Sequence, residues 1–166
     1  MSFDSLQFRN ALGRFATGVC VITANPAGHA PFGMTVNSFS SLSLTPPLVL
    51  WSLQKNSDTM EAFRVARQYC VNILSQEQKA LSGRFAKKGD HTLGANDYTI
   101  GESGLPVLRH CLASFECDMD ARHDGGDEIF TALGGVGLEL GFVHGVCLLD
   151  ARALAGQLAG DVAHVR

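Results

Sequence analysis

Two consecutive prolines, Pro46 and Pro47, interrupt a long apolar, β-prone run and decide how it can fold. Proline has no backbone donor, so no continuous central strand passes through the pair. The run therefore reads as strand (34–44), corner, strand (48–53). Small hydroxyl and amide residues are dense in the first segment: Thr35, Asn37, Ser38, Ser40, Ser41 and Ser43. Such a flat, hydrogen-bonding surface suits a planar polar ring, and it equally suits the solvent face of a half-exposed strand. The second segment leads into Lys55-Asn56-Ser57-Asp58-Thr59, which reads as a helix start. Free N–H groups there, beside a cation and two hydroxyls, make an anion site. The same residues also serve as an ordinary helix cap.

Around this stretch the pattern is mostly strand. Residues 4–15 carry Phe8, Ala11, Leu12 and Phe15 at helical spacing, with Asp4 and Gln7 placed to close the first turn, and read as a short amphipathic lid helix. Residues 17–23 read as a buried strand, 58–67 as a helix and 69–74 as a strand. Ser75 to Gln78 form a capping box opening a third helix that ends near Phe85. Residues 87–104 lack a period and read as a long surface loop. Residues 112–121 and 128–140 read as two long strands joined by a polar, glycine-containing reversal. Many short-spaced strands with Gly and Pro corners argue for an antiparallel barrel rather than a parallel sheet. No G-x-G-x-x-G follows a strand, which argues against a Rossmann domain.

At 166 residues the chain is expected to be a single domain, 1–166. It shows no membrane-length apolar run and no secretory leader, so a soluble, cytoplasmic protein is expected. Thirteen Lys and Arg against 16 Asp and Glu, scattered along the chain, speak against a nucleic-acid surface. Cys20, Cys70, Cys111, Cys117 and Cys147 lack C-x-x-C spacing and read as buried reduced thiols. His91, His110 and His123 stand too far apart in sequence to suggest a metal site.

The run Gly33-Met-Thr-Val-Asn-Ser-Phe-Ser-Ser-Leu-Ser-Leu-Thr-Pro-Pro-Leu-Val-Leu50 is preceded by Arg14-Phe-Ala-Thr-Gly-Val-Cys-Val-Ile-Thr23 and followed by Tyr69-Cys-Val-Asn-Ile-Leu74. In register over residues 8–140, this set resembles the short-chain flavin reductase family, the reductase components of two-component monooxygenases. The resemblance implies a mainly β fold, the FMN-binding split barrel: a Greek-key antiparallel barrel with a few flanking helices that dimerises near its flavin sites. It implies an NAD(P)H-dependent flavin reductase that binds FMN or FAD and passes reduced flavin to a monooxygenase component. No side chain is then catalytic in the covalent sense, because the protein's task is to hold two rings face to face. By the resemblance, Met34, Thr35, Val36, Asn37 and Ser38 line the isoalloxazine, and Trp51, Ser52 and Leu53 lie under or beside it. Lys55, Asn56, Ser57 and Thr59 hold the phosphate, while Arg84 and Phe85 reach the phosphates or an adenine. Trp51 and Phe85 read equally as core, and Arg84 as a solvated arginine.

The family's Gly-Asp-His signature for the nicotinamide nucleotide, NADH or NADPH, corresponds to Gly126-Asp127-Glu128, with glutamate replacing histidine. An ionised glutamate only accepts hydrogen bonds and repels a pyrophosphate unless it turns away or Arg122 and His123 neutralise it. The family's arginine-rich tail is also replaced, and only Arg152 falls where an arginine is expected. These departures keep open an alternative: a flavin-binding protein of the same fold with weak or no NADH activity, taking electrons from another donor or carrying flavin without catalysis.

Overall fold

The computed structural model describes residues 4–140, so Arg152, Cys147 and the altered tail lie outside the described residues. The elements are α1 (Ser5–Leu12), β1 (Cys20–Ala24), β2 (Phe32–Val36), β3 (Ser40–Leu44), β4 (Pro47–Gln54), α2 (Met60–Val65), β5 (Gln68–Ile73), α3 (Lys79–Phe85), β6 (Tyr98–Ile100), β7 (Pro106–Leu108), β8 (Ala113–Asp124) and β9 (Glu128–Leu140). Seven strands form one sheet in the order β2-β1-β5-β8-β9-β4-β3, and every pairing is antiparallel.

The sheet curls on itself because its two ends share one core. Val36 of β2 and Val49, Trp51 and Leu53 of β4 bury against Ile22, Tyr69, Val71 and Leu133. Burying each of the large apolar side chains in such a cluster contributes roughly 1.5–3 kcal/mol. No ladder joins β2 to β4. Ser38, just past β2, bridges the gap instead: its hydroxyl donates to Ser52 O at 3.1 Å and accepts from Ser52 N at 3.0 Å. The barrel is thus closed by a side chain where backbone pairing stops. Asn72, wholly buried on β5, ties the other side, donating to Val21 O at 3.0 Å and accepting from Leu108 N at 2.9 Å.

The prolines do set a corner, but the segment before them divides. The expected strand 34–44 breaks at residues 37–39 into β2 and β3, which lie at opposite ends of the sheet order. Pro47 takes the first position of β4, where a missing donor is tolerated. The capping box forms, Ser75 N donating to Gln78 Oε1 at 2.9 Å, but it caps a 3-10 turn, Gln76–Gln78, that runs directly into α3.

Three expectations need correction. The segment 87–104 is not structureless: Tyr98–Ile100 pairs with β7, and the segment pairs with the outer edge of β2, Gly33 N donating to His91 O at 2.9 Å. It covers an edge that would otherwise present free backbone groups. The second helix is shorter than 58–67, because Ala66 is already extended at φ −63°, ψ 141°. The lid helix is capped, Leu6 N donating to Asp4 Oδ1 at 2.9 Å, yet Leu6, Leu12 and Phe15 remain 60–79% exposed.

Candidate functional site

Three segments distant in sequence meet where β4 ends: the end of β2, the turn 55–59, and the β8–β9 hairpin. The hairpin docks on the turn through Lys55 N, which donates to Asp127 O at 2.9 Å. Gly126, at φ +91°, makes the reversal possible, and a Cβ at Gly125 would run into the Phe130 ring. The segments expected to hold phosphate and nicotinamide are therefore neighbours.

Within the turn, the hydroxyls of Ser57 and Thr59 lie 2.9 Å apart and both point at Met34 on β2, with Ser57 Oγ 3.4 Å and Thr59 Oγ1 3.1 Å from Met34 Sδ. A thioether is a weak acceptor, and the two hydroxyls can also bond each other, so the proton that reaches the sulfur is cheaply released. The backbone N–H groups are not the free cradle expected. Ser57 N donates to Gln54 O at 3.0 Å, Met60 N to Ser57 O at 3.1 Å, and Thr59 N approaches Ser57 Oγ at 3.3 Å. The side-chain hydroxyls are less tightly committed than the helix N–H groups, that of Ser57 on a half-buried residue and that of Thr59 on one only 4% exposed. The cation beside them, Lys55, pairs through Nζ with both oxygens of Asp124, at 2.8 and 2.7 Å. That hydrogen bond, with the Gly126 N–H and the lysine charge, holds the Asp124 carboxyl below its ordinary range. The pair is exposed, 40% and 75%, so water and salt compete for both partners.

The residues expected to line the ring fare differently from one another. Asn37 is exposed, and Met34, Thr35 and Ser38 are half-buried. Thr35 is engaged, its hydroxyl donating to Ser82 O at 2.8 Å and fastening α3 to β2, and Ser38 is committed to Ser52. Val36, Trp51 and Leu53 are buried at 8%, 1% and 3% exposure, and Phe85 is wholly buried. For Trp51 and Phe85 the core reading therefore holds. The indole packs in edge-to-face geometry against Phe63 at 5.1 Å and Tyr69 at 5.9 Å and is 1% exposed, so it offers no open surface. Arg84 is not a free anion binder: it pairs with Asp97 at 2.9 Å, donates to Thr92 O at 2.8 Å and lies over the Phe85 ring. Asn56 is exposed on the turn.

Glu128 turns inward. Its carboxylate accepts the Ser52 hydroxyl, extending the chain Ser38–Ser52–Glu128 across three strand ends. Arg122 does not neutralise it. That guanidinium faces the C-terminal end of α2, donating to Phe63 O and Ala66 O at 2.8 Å, Arg64 O at 2.9 Å and the Tyr69 hydroxyl. Asp124 and Arg122 carry roles that the sequence reading missed, since both depend on β8 running into the reversal. Among the described residues no group of His, Cys, Asp and Glu is placed to hold a metal ion, and no helix is long and apolar enough to cross a membrane.

Residues 12–149 match the flavin reductase like domain. Over 125 residues the chain is 50% identical to the FMN reductase (NADH) SmoA of Agrobacterium fabrum, covering 75% of this chain and 70% of that protein. It is 38% identical over 133 residues to the flavin-dependent monooxygenase reductase subunit HsaB of Mycobacterium tuberculosis, covering 80% of this chain and 70% of HsaB. The solved structure of the NADH:FAD oxidoreductase SgcE6 from Streptomyces globisporus C-1027, in complex with NAD and FAD fragments, superposes with a TM-score of 0.76 at 32% identity over 82% of each chain. The chain belongs to the flavin reductase like domain family, and its antiparallel barrel is the split barrel of those reductases.

Proposed function

We propose that the chain is an NAD(P)H-dependent flavin reductase that binds FMN or FAD and hands reduced flavin to a separate monooxygenase component. The observation that carries the reading is the convergence of Ser57, Thr59 and Lys55 on one turn against which the Asp127–Glu128 hairpin docks. Two hydroxyls on a weak acceptor and a lysine on an exposed pair form a donor set that a phosphate dianion can take over. Asn37, exposed just past β2, is a polar group that a flavin's hydrogen-bonding edge can reach, whereas Ser38 and Ser52 are committed to each other and to Glu128. When bound, flavin supplies the hydride acceptor. The chain's own work is to fix that ring through the β2 and β4 ends and to seat the nicotinamide nucleotide beside the hairpin at Gly126, Asp127 and Glu128. The names of SmoA and HsaB support the donor and the monooxygenase partner.

Glu128 supports a second reading, a flavin-binding protein with weak NADH activity, because a carboxylate stands where the family signature has histidine. Its contact with Ser52 directs the charge into the site rather than out to solvent. One assay separates the two: loss of nicotinamide absorbance with catalytic protein and excess FMN or FAD. Flavin-dependent turnover supports the reductase. Tight flavin binding without NADH or NADPH oxidation supports the second reading and rejects the first.

We also propose that the chain works as a cytoplasmic homodimer of single-domain subunits. Exposed Leu42 and Leu44 on edge strand β3, with Leu6 and Leu12 on α1, support an apolar interface. Stable dimers of this kind bury upwards of ~2,000 Å², and a monomer mass by light scattering at micromolar concentration rejects it.

A further inference from the structure

Met34 Sδ lies within reach of both the Ser57 and Thr59 hydroxyls, which also contact each other at 2.9 Å, so that while this bond is made one of the two donates to the sulfur. It lies half-buried at the edge of the core cluster. We infer that Met34 is a modification site: its oxidation to methionine sulfoxide by a hydroperoxide locks these two hydroxyls and lowers flavin affinity. The inference rests on the proposed placement of the flavin phosphate.

A hydroxyl carries a single proton, so it donates either to Met34 or to a phosphate oxygen. Against a thioether the phosphate wins, since sulfur is a weak acceptor and the bond to an anion is charge-assisted. A sulfoxide reverses the balance by presenting a polar oxygen to two donors already aimed at that atom. The same oxygen adds bulk and partial negative charge within reach of the place a phosphate must enter. With at least one of these hydroxyls to satisfy it, the S=O group is held in the fold rather than left buried and unpaired.

The oxidant is hydrogen peroxide, formed when free reduced flavin meets dioxygen outside the protein. The sulfur lone pair attacks one peroxide oxygen, the O–O bond breaks and the S=O bond forms. The departing hydroxide takes the remaining proton and leaves as water. Sulfur loses two electrons and peroxide gains them. A reductase that outruns its acceptor would thereby reduce its own flavin affinity, and methionine sulfoxide reductases restore the thioether.

The test treats the purified protein with hydrogen peroxide, removes the excess with catalase, locates oxidised methionines by peptide mass mapping and titrates FMN by fluorescence. The expected result is a sulfoxide at Met34 and FMN affinity at least about fivefold weaker, the size of one lost hydrogen bond. Sulfoxide reductases should return both mass and affinity, and Met34→Leu should show the same affinity before and after peroxide. If Met34 is oxidised and affinity is unchanged, or if Met34→Leu loses affinity as the native protein does, the switch is wrong. Failure of Met34 to oxidise while Met60 or Met119 does also overturns it. Untreated protein that binds no flavin overturns the phosphate placement and the switch with it, whereas normal binding before treatment confines any failure to the switch.

Discussion

Removing the Arg122 guanidinium should destabilise the protein by about 2–4 kcal/mol, far more than an ordinary half-exposed substitution. Its three carbonyl acceptors, Phe63, Arg64 and Ala66, lie at 2.8–2.9 Å. Hydrogen bonds from a charged donor contribute ~1.5–3 kcal/mol each, so a simple sum would exceed this estimate. The sum overcounts, because the single Tyr69 hydroxyl proton, within reach of Phe63 O at 2.9 Å and Ala66 O at 3.0 Å, still serves these carbonyls. Contacts within one network are not additive. Arg122→Met keeps the aliphatic stem and isolates the head group. Arg122→Lys should recover about half the loss, since an ammonium cannot span the spread of acceptors that a planar fork does. Urea unfolding is the assay, with midpoints compared at constant m-value. Losses below ~0.5 kcal/mol for Arg122→Met would show that the α2 carbonyls are as well served by water. Because α2 follows directly on Thr59, flavin affinity should fall with stability, and Arg122→Lys should regain both.

The remaining predictions concern the site and the thiols. Replacing Ser57 and Thr59 together by alanine should weaken flavin by ~1–3 kcal/mol in a titration, and unchanged affinity would remove these hydroxyls from the phosphate site. Asp124→Asn frees Lys55 and should tighten flavin binding at low salt, with the gain shrinking as salt is raised; no gain would mean that Lys55 does not reach the ligand. The Asp124 carboxyl titrates below its unfolded value, so its contribution to stability is complete above about pH 4 and is lost as pH falls through the lower folded value, which an NMR titration of Asp124 reads directly. Burial pushes the thiols of Cys20 and Cys117 up to about 12 and Cys111 to about 11, and raises Cys70 as well, so at pH 8 these four should alkylate only after unfolding, as peptide mapping would show.

What the sequence disclosed was local. The capping box at Ser75 and Gln78, the corner at Pro46-Pro47 and the glycines of the reversal each depend on residues a few positions apart, and each formed. Strand β1 was legible as apolar and β-branched because it is buried on both faces. Long-range placements were not legible. Tyr98–Ile100 is too short to show a period, and it is a strand only because β7 lies beside it. Trp51 gave no sign of which face it occupied, since a strand residue that stacks on a ligand and one that packs edge-to-face on Phe63 look alike until the barrel closes. The break at residues 37–39 was hidden for the same reason: it exists so that Ser38 can cross to Ser52, a contact between segments that no periodicity announces.

The site's polar groups divide by the strength of their internal partners, and that division indicates which of them face a ligand. Thr35, Ser38, Arg84 and Arg122 are bound to backbone oxygens, so displacing them leaves carbonyls to be satisfied elsewhere and costs the fold. Ser57 and Thr59 rest on a thioether, and Lys55 on a carboxylate open to water. Giving up those partners costs little, because the exposed pair is already screened by water, whereas a charge-assisted bond to phosphate returns ~1.5–3 kcal/mol. The exchange is favourable only for the second set. Glu128 falls between the two: its partner is another side-chain hydroxyl, that of Ser52, and its charge has no cation among the contacts described. A carboxylate held in this way can accept a donor from an incoming ligand without disturbing the backbone, but it can offer no proton of its own while ionised. On the proposed placement, glutamate in place of histidine changes the hydrogen-bonding sense of the hairpin and leaves Ser57, Thr59 and Lys55 intact, so its effect is expected on nicotinamide binding rather than on flavin binding.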